Sequence, residues 1–166
     1  MLIILVVRRF RRRHQDPPET FSFIGLGLIA GAAGALIDAG IAWNLIAPSW
    51  DLLGKRLLTE GMVLLLVLGV GGFLGPRLLG FASLPKFAQI ETSQRAGRRV
   101  FFYAIAGLIV LLSLLGEYGL NIGIMAFVRA TVVTVVILST VQPWRLPSVR
   151  TTLAWCVWIA HWLVIL

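Results

Sequence analysis

The sequence predicts an all-α fold, a polytopic transmembrane helix bundle, on three observations. Of its 166 residues, 58% are hydrophobic and only 13% are charged. A soluble domain carries about 25% charged and about 45–50% apolar residues. The mean hydropathy is +0.91, and the apolar residues gather in runs near the roughly 20 residues that cross a bilayer. The charges collect between those runs. Disorder and an ordinary soluble globular domain are both excluded by this pattern. The single cysteine, Cys156, excludes an internal disulfide framework and any CxxC metal or redox motif.

In chain order, residues 2–7 are apolar and run into Arg8 and Arg9. A secretory signal has its positive charges before the apolar stretch, so this order reads as the cytosolic exit of a span whose start is missing. The first span is expected at residues 21–47 and contains Asp38. The second covers 57–75 and stops at Pro76, where a backbone donor is lost. The third covers 100–118. The fourth covers 121–142, is interrupted by Arg129, and is followed by Pro143. A fifth apolar run, 151–166, ends with the chain and is short for a crossing. The expectation is four full spans, a partial fifth and an N-terminal span remnant in one membrane-embedded helical domain, 1–166. Both ends read as cut from a larger multi-pass protein. The alternative is a small protein with a short N-terminal anchor and a C-terminal half-span.

The basic residues predict the orientation. Arg8, Arg9, Arg11, Arg12 and Arg13 precede the first span. Arg77, Lys86, Arg95, Arg98 and Arg99 separate the second from the third, and Arg145 and Arg150 separate the fourth from the fifth. The intervening segments hold only Lys55 and Arg56, or none. Residues 8–20 are therefore expected as a cytosolic basic segment and 77–99 as a cytosolic loop. Topology thus accounts for the net charge of +8 without nucleic acid, whose footprint needs a basic face with aromatic or polar readers. The arginines at 8–13 are placed to touch anionic lipid headgroups. Besides the bilayer, the expected partners are further transmembrane helices of the same or another chain.

Gly27 and Gly31 form a GxxxG spacing, extended by Ala30 and Gly34. Gly71 and Gly75 form another. Small residues at this interval let helix backbones approach closely in lipid. The stretch 69–75 does not fit G-x-G-x-x-G and has no β-α unit around it. Trp50 and Trp144 fall near span ends, as interfacial aromatics do. Trp155, Trp158 and Trp162 share one face of the last run, either as a packing or lipid-facing stripe or as one wall of a pocket.

An ionisable residue near mid-bilayer costs roughly 2.5–3.5 kcal/mol on insertion scales and finds a partner or water. At roughly 1.5 Å rise per residue, Asp38 and Arg129 both come out about 12–14 Å from the outer surface. They are expected to face the bundle interior and pair, directly or through water. The alternative has Arg129 snorkelling outward along its stem. Glu60 and Glu117 fall within a turn of the outer interface and read as an outer polar layer, joined by Asn44 and Asn121. His161 is expected at a similar level. A neutral imidazole can ligate haem iron or copper, although a packed, hydrogen-bonded histidine is the commoner case. His14 lies among the cytosolic arginines and cannot join it. No HExxH, Ser-His-Asp set or P-loop occurs, so conventional catalysis by this chain is not expected.

The segment 60–79, EGMVLLLVLGVGGFLGPRLL, with its Gly-Pro-Arg exit, resembles a middle span of the NnrS family. The final run, 153–166, LAWCVWIAHWLVIL, resembles the span before that family's later histidine-bearing helix. The resemblance implies a polytopic bacterial inner-membrane protein of the nitric-oxide or nitrosative-stress response, associated with haem or copper, of which this chain is an internal piece or a shortened form. The family's histidine-rich motifs have no counterpart here, so the resemblance implies ligands mostly outside this chain and leaves His161 as the one candidate. Two other readings stay open. One is a transporter half or channel subunit with Asp38 and Arg129 as its intramembrane polar site. The other is a non-catalytic membrane scaffold.

Overall fold

A computed structural model describes residues 19–81, 93–120 and 123–165. The arginines at 8–13 and residues 82–92 of the 77–99 loop lie outside the described residues. Among the described residues every regular element is helical. α1 is Phe21–Ala42. A 3₁₀ turn, Pro48–Trp50, leads into α2, Asp51–Arg56. A π-helical turn, Leu57–Gly61, joins α2 to α3, Met62–Leu78. α4 is Ser93–Leu120, α5 is Ile124–Thr140 and α6 is Thr152–Ile165.

Three helices are long and apolar enough to cross a bilayer: Phe21–Ala42, the continuous rod Pro48–Leu78, and Gly97–Gly119 within α4. They mark the chain as a membrane protein. The expected fourth and fifth spans are shorter helices of 17 and 14 residues. At roughly 1.5 Å per residue they rise about 25 and about 21 Å, below the roughly 30 Å of a hydrocarbon core. Among the described residues, then, three helices have the length of a full crossing, and α5, at 17 residues, is at the short end of the crossing range. α5 stops early because Gln142 takes a left-handed backbone, φ +52, and Pro143 follows it.

The ends of α1 and of the rod also differ from expectation, for local reasons. α1 ends at Ala42 because Asn44 is left-handed, φ +56. The Leu45 N–H reaches the Gly40 carbonyl at 2.8 Å and the Asn44 N–H reaches Ile41 at 3.0 Å. That pair of bonds is a Schellman cap. The rod does not stop at Pro76. A proline in the last turn forfeits a single donor, and the helix runs on to Leu78. It closes with a second Schellman cap at Gly80, φ +77, where Phe81 N–H bonds Pro76 at 2.8 Å and Gly80 N–H bonds Arg77 at 3.1 Å. Ser148 adds bonds from its N–H and Oγ to the Leu79 carbonyl, both 3.0 Å.

α1 packs on the rod and on α4, and α5 touches α3, α4 and α6. The crossing of α1 with the rod is close because glycines line it. A Cβ at Gly34 would lie 2.6 Å from the Gly54 carbonyl oxygen and 2.9 Å from the Leu58 nitrogen. One at Gly27 would meet Leu65 and Met62 at 3.2 Å. The core centres on Phe23, Leu65, Leu68, Val110, Val136 and Ile137. The buried Ser113 hydroxyl bonds back to the Val110 carbonyl of its own helix at 2.7 Å, which spares it a partner elsewhere. The outward faces are apolar, with Leu36 and Phe127 about three-quarters exposed at 71% and 76%, as suits contact with lipid.

The connections sort the charges. One end of the bundle holds the start of α1, the ends of α3 and α5, and the starts of α4 and α6. Arg77, Arg98, Arg99, Arg145 and Arg150 lie there beside Glu19. The opposite end holds Asp38, Asp51, Lys55, Arg56, Glu60, Glu117 and Arg129.

Candidate functional site

That second end carries a charge network that crosses between helices. Arg129, on α5, donates from Nη1 to Glu117 Oε2 at 2.9 Å. Its Nη2 lies 3.6 Å from Glu60 Oε2. Arg56 Nη1 lies 2.9 Å from the other Glu117 oxygen, Oε1. Glu117 is thus held at both oxygens by different arginines, and Arg129 is shared by two acids. The cluster is charge-balanced and ties α2, the π turn, α4 and α5 together. Arg129 is the least exposed member at 16%, and Glu60 the most at 47%.

The local structure explains why these side chains meet. In a regular α-helix, Arg56 and Glu60 would stack at i, i+4 and pair with each other. The π-helical turn inserted at 57–61 widens that step. Arg56 is released to α4, and Glu60 reaches towards α5. Such turns recur at functional sites. The end of α4 is held in place by Tyr118, whose hydroxyl donates to the Ser49 carbonyl and whose ring lies 6.1 Å from that of Trp50. The nearby Lys55–Asp51 pair, 2.7 Å and solvent-facing, adds little, as exposed pairs usually do.

Among the described residues Arg129 makes no direct ion pair with Asp38. Arg129 makes its ion pairs with Glu117 and Glu60. Asp38 sits against Gly54, with its Oδ1 buried and lacking a hydrogen-bond partner among the described residues. Equal depth puts two groups on one level, but α1 turns this face towards α2 and away from α5. Glu60 and Glu117, expected as inexpensive interfacial carboxylates, are the acids that hold Arg129. Arg56 was not singled out from the sequence. Its signal was there, as a cation four residues before an acid at the head of an apolar run. Asn44 serves as the cap of α1, and Asn121 lies outside the described residues.

His161 also differs from expectation. It does not reach the outer level, because α6 packs against the 67–75 stretch of α3. A Cβ at Gly75 would lie 3.3 Å from both His161 Nε2 and Cε1, and one at Gly71 would lie 3.6 Å from Nε2. From Glu60, Gly71 is about 16 Å further along the rod at roughly 1.5 Å per residue. The Nδ1–H donates to the Val157 carbonyl at 2.6 Å. A carbonyl only accepts, so Nδ1 carries the hydrogen, and Nε2 faces these glycines. The cavity beside it is about 100 Å³, walled by Val67, Leu68, Ile137, Val141 and Val164. Small-molecule sites run about 300–1,000 Å³, so haem does not fit there. Among the described residues no three His, Cys, Asp or Glu side chains converge to hold a metal ion. The tryptophan face is a packing stripe in part: Trp155, Trp158 and Trp162 stack edge to face at 5.8 and 6.2 Å. Trp158 Nε1 donates to the Pro143 carbonyl at 2.7 Å.

The chain matches no family model, no curated protein and no solved structure.

Proposed function

We propose that the chain is a subunit or half of a membrane transporter or channel, with Arg56, Glu60, Glu117 and Arg129 as its polar site. The observation that carries this reading is the sharing of Arg129 between a tight acid and a loose one. Glu117 anchors the guanidinium at 2.9 Å, while Glu60 stands at 3.6 Å and is half exposed. A purely structural staple has no use for the loose arm. A guanidinium has five donors in a fixed fork, so when Glu60 swings away an anion can take its place on Arg129 without disturbing Glu117. The chemistry of the site is then exchange of an external anion for an internal carboxylate, at one end of the bundle. The orientation that goes with this reading puts the arginine-rich end in the bacterial cytosol and the network towards the outside.

The test is flux in proteoliposomes carrying an outward chloride gradient and an internal chloride-sensitive dye. Wild-type protein is expected to dissipate the gradient faster than protein-free vesicles. Arg129→Gln is expected to return the rate to background while the protein stays helical and monodisperse. Background flux from well-folded wild type would sink the transport reading and leave the network as a staple in a scaffold. A nitric-oxide-linked haem protein, implied by the NnrS resemblance, finds less support. His161 offers its Nε2, but the space before it is too small for the group, so no chemistry is routed through it.

A further inference from the structure

A second polar site lies at the opposite, arginine-rich end. Arg98, Arg99, Phe101, Phe102, Tyr103, Ile105 and, from α5, Ser139 line a pocket of about 690 Å³. We infer that this pocket binds the headgroup of an anionic phospholipid, with an acyl chain running down α4.

Three features choose this occupant. The first is charge. Arg98 and Arg99 are adjacent and exposed at the first turn of the span that begins at Gly97, where lipid phosphates lie. Arg99 is paired with Glu19, but at 3.6 Å and with its own side chain 57% exposed. Arg98, beside it and exposed, supplies the cation for the phosphate, and a guanidinium fork matches phosphate oxygens bidentately.

The second feature is the wall. Phe101 and Phe102 are exposed at 66% and 49%, and the Phe102 ring packs edge to face on Tyr103 at 5.5 Å. Aromatics at this level belong to the membrane interface.

The third feature is the track below. Phe101, Ile105, Leu108 and Leu112 follow at helical spacing on one face, and all are exposed. From the first to the last the helix rises about 16 Å, close to half of a roughly 30 Å hydrocarbon core. The stripe continues through Leu115, so the outer leaflet meets the same face. At the arginine end a cationic pocket opens onto the stripe. A two-chain lipid of that leaflet can place its phosphate between the arginines and one chain on the stripe.

The experiment is native mass spectrometry of the full chain released from detergent, with phosphatidylglycerol, phosphatidylcholine and inorganic phosphate as probes. Wild type is expected to retain phosphatidylglycerol in preference to phosphatidylcholine. Arg98→Gln is expected to reduce that preference roughly fivefold, the worth of one headgroup cation. The control is Arg145→Gln with Arg150→Gln, which removes more charge from the same end and leaves the pocket intact. It is expected to keep the preference. Equal loss in the control would overturn the pocket in favour of diffuse charge. Competition by millimolar phosphate would overturn it in favour of a soluble anion. Should Arg98→Gln fold poorly, Phe101→Ser gives a second reading: it leaves every charge in place and is expected to shorten lipid retention. Unchanged retention there would remove the acyl track.

Discussion

Removing the Glu117 carboxylate would leave Arg56 and Arg129 facing each other with only the loose Glu60 between them. Removing Glu60 would leave Arg129 still anchored. The four members of the network are therefore unequal, and their order follows from distance and burial. Breaking one partner of a fully buried pair costs about 3–5 kcal/mol. Glu117 and Arg129 are about four-fifths buried, so Glu117→Gln is expected to cost roughly 2–3 kcal/mol, scaled down from that range. Glu60→Gln should stay below about 1 kcal/mol, as exposed pairs do. Thermal or denaturant unfolding in detergent reads both. The same method separates this network from the Asp38 pairing expected at first. Glu117→Gln with Arg129→Gln should couple by about 1–2 kcal/mol, whereas Asp38→Asn with Arg129→Gln should add within about 0.5 kcal/mol. Coupling to Asp38 of the larger size would mean that the acid reaches Arg129 after all.

Between α1 and the rod, the glycines differ in what stands opposite them. At Gly34 the opposing atoms are backbone, the Gly54 carbonyl at 2.6 Å and the Leu58 nitrogen at 2.9 Å from an added Cβ. Backbone cannot step aside without moving the whole helix. At Gly31 the nearest atom is Met62 Sδ at 2.5 Å, the end of a flexible side chain that repacks readily. Gly34→Ala is accordingly expected to destabilise by about 1–3 kcal/mol, the usual cost of overpacking. Gly31→Ala should cost less than half as much, despite its shorter clash distance. The comparison is read from melting temperatures of the two variants in one detergent. A larger loss at Gly31 would put the tightest point of the crossing elsewhere. The π turn works at this scale as well. It lies in the rod beside the crossing, and it sends Arg56 and Glu60 to different helices.

Across the whole molecule the charge distribution is lopsided, with arginines at one end and a mixed, acid-containing cluster at the other. The positive-inside tendency predicts that the arginine end faces the cytosol. In a Cys156→Ser background, Ser49→Cys should react with a membrane-impermeant maleimide in intact cells. Arg150→Cys should react only after permeabilisation. The reverse pattern would invert the topology and with it the side from which an anion reaches Arg129. The class of the protein, its helical content and the approximate places of three long spans were legible in the sequence, because a bilayer demands apolar length and any helix supplies it locally. Helical rise set Arg129 deeper than Glu60 and Glu117, yet its guanidinium reaches Glu117 at 2.9 Å, and these partners were not legible. Which way a helix is rotated about its axis depends on the packing of glycine stripes and on one π turn, and these set Arg129 on Glu117 while turning Asp38 towards Gly54. The sequence by itself determined which stretches are long and apolar enough to cross a bilayer, because that follows from composition and helical rise. Only the tertiary structure decided which charges meet, because contact depends on azimuth as well as depth.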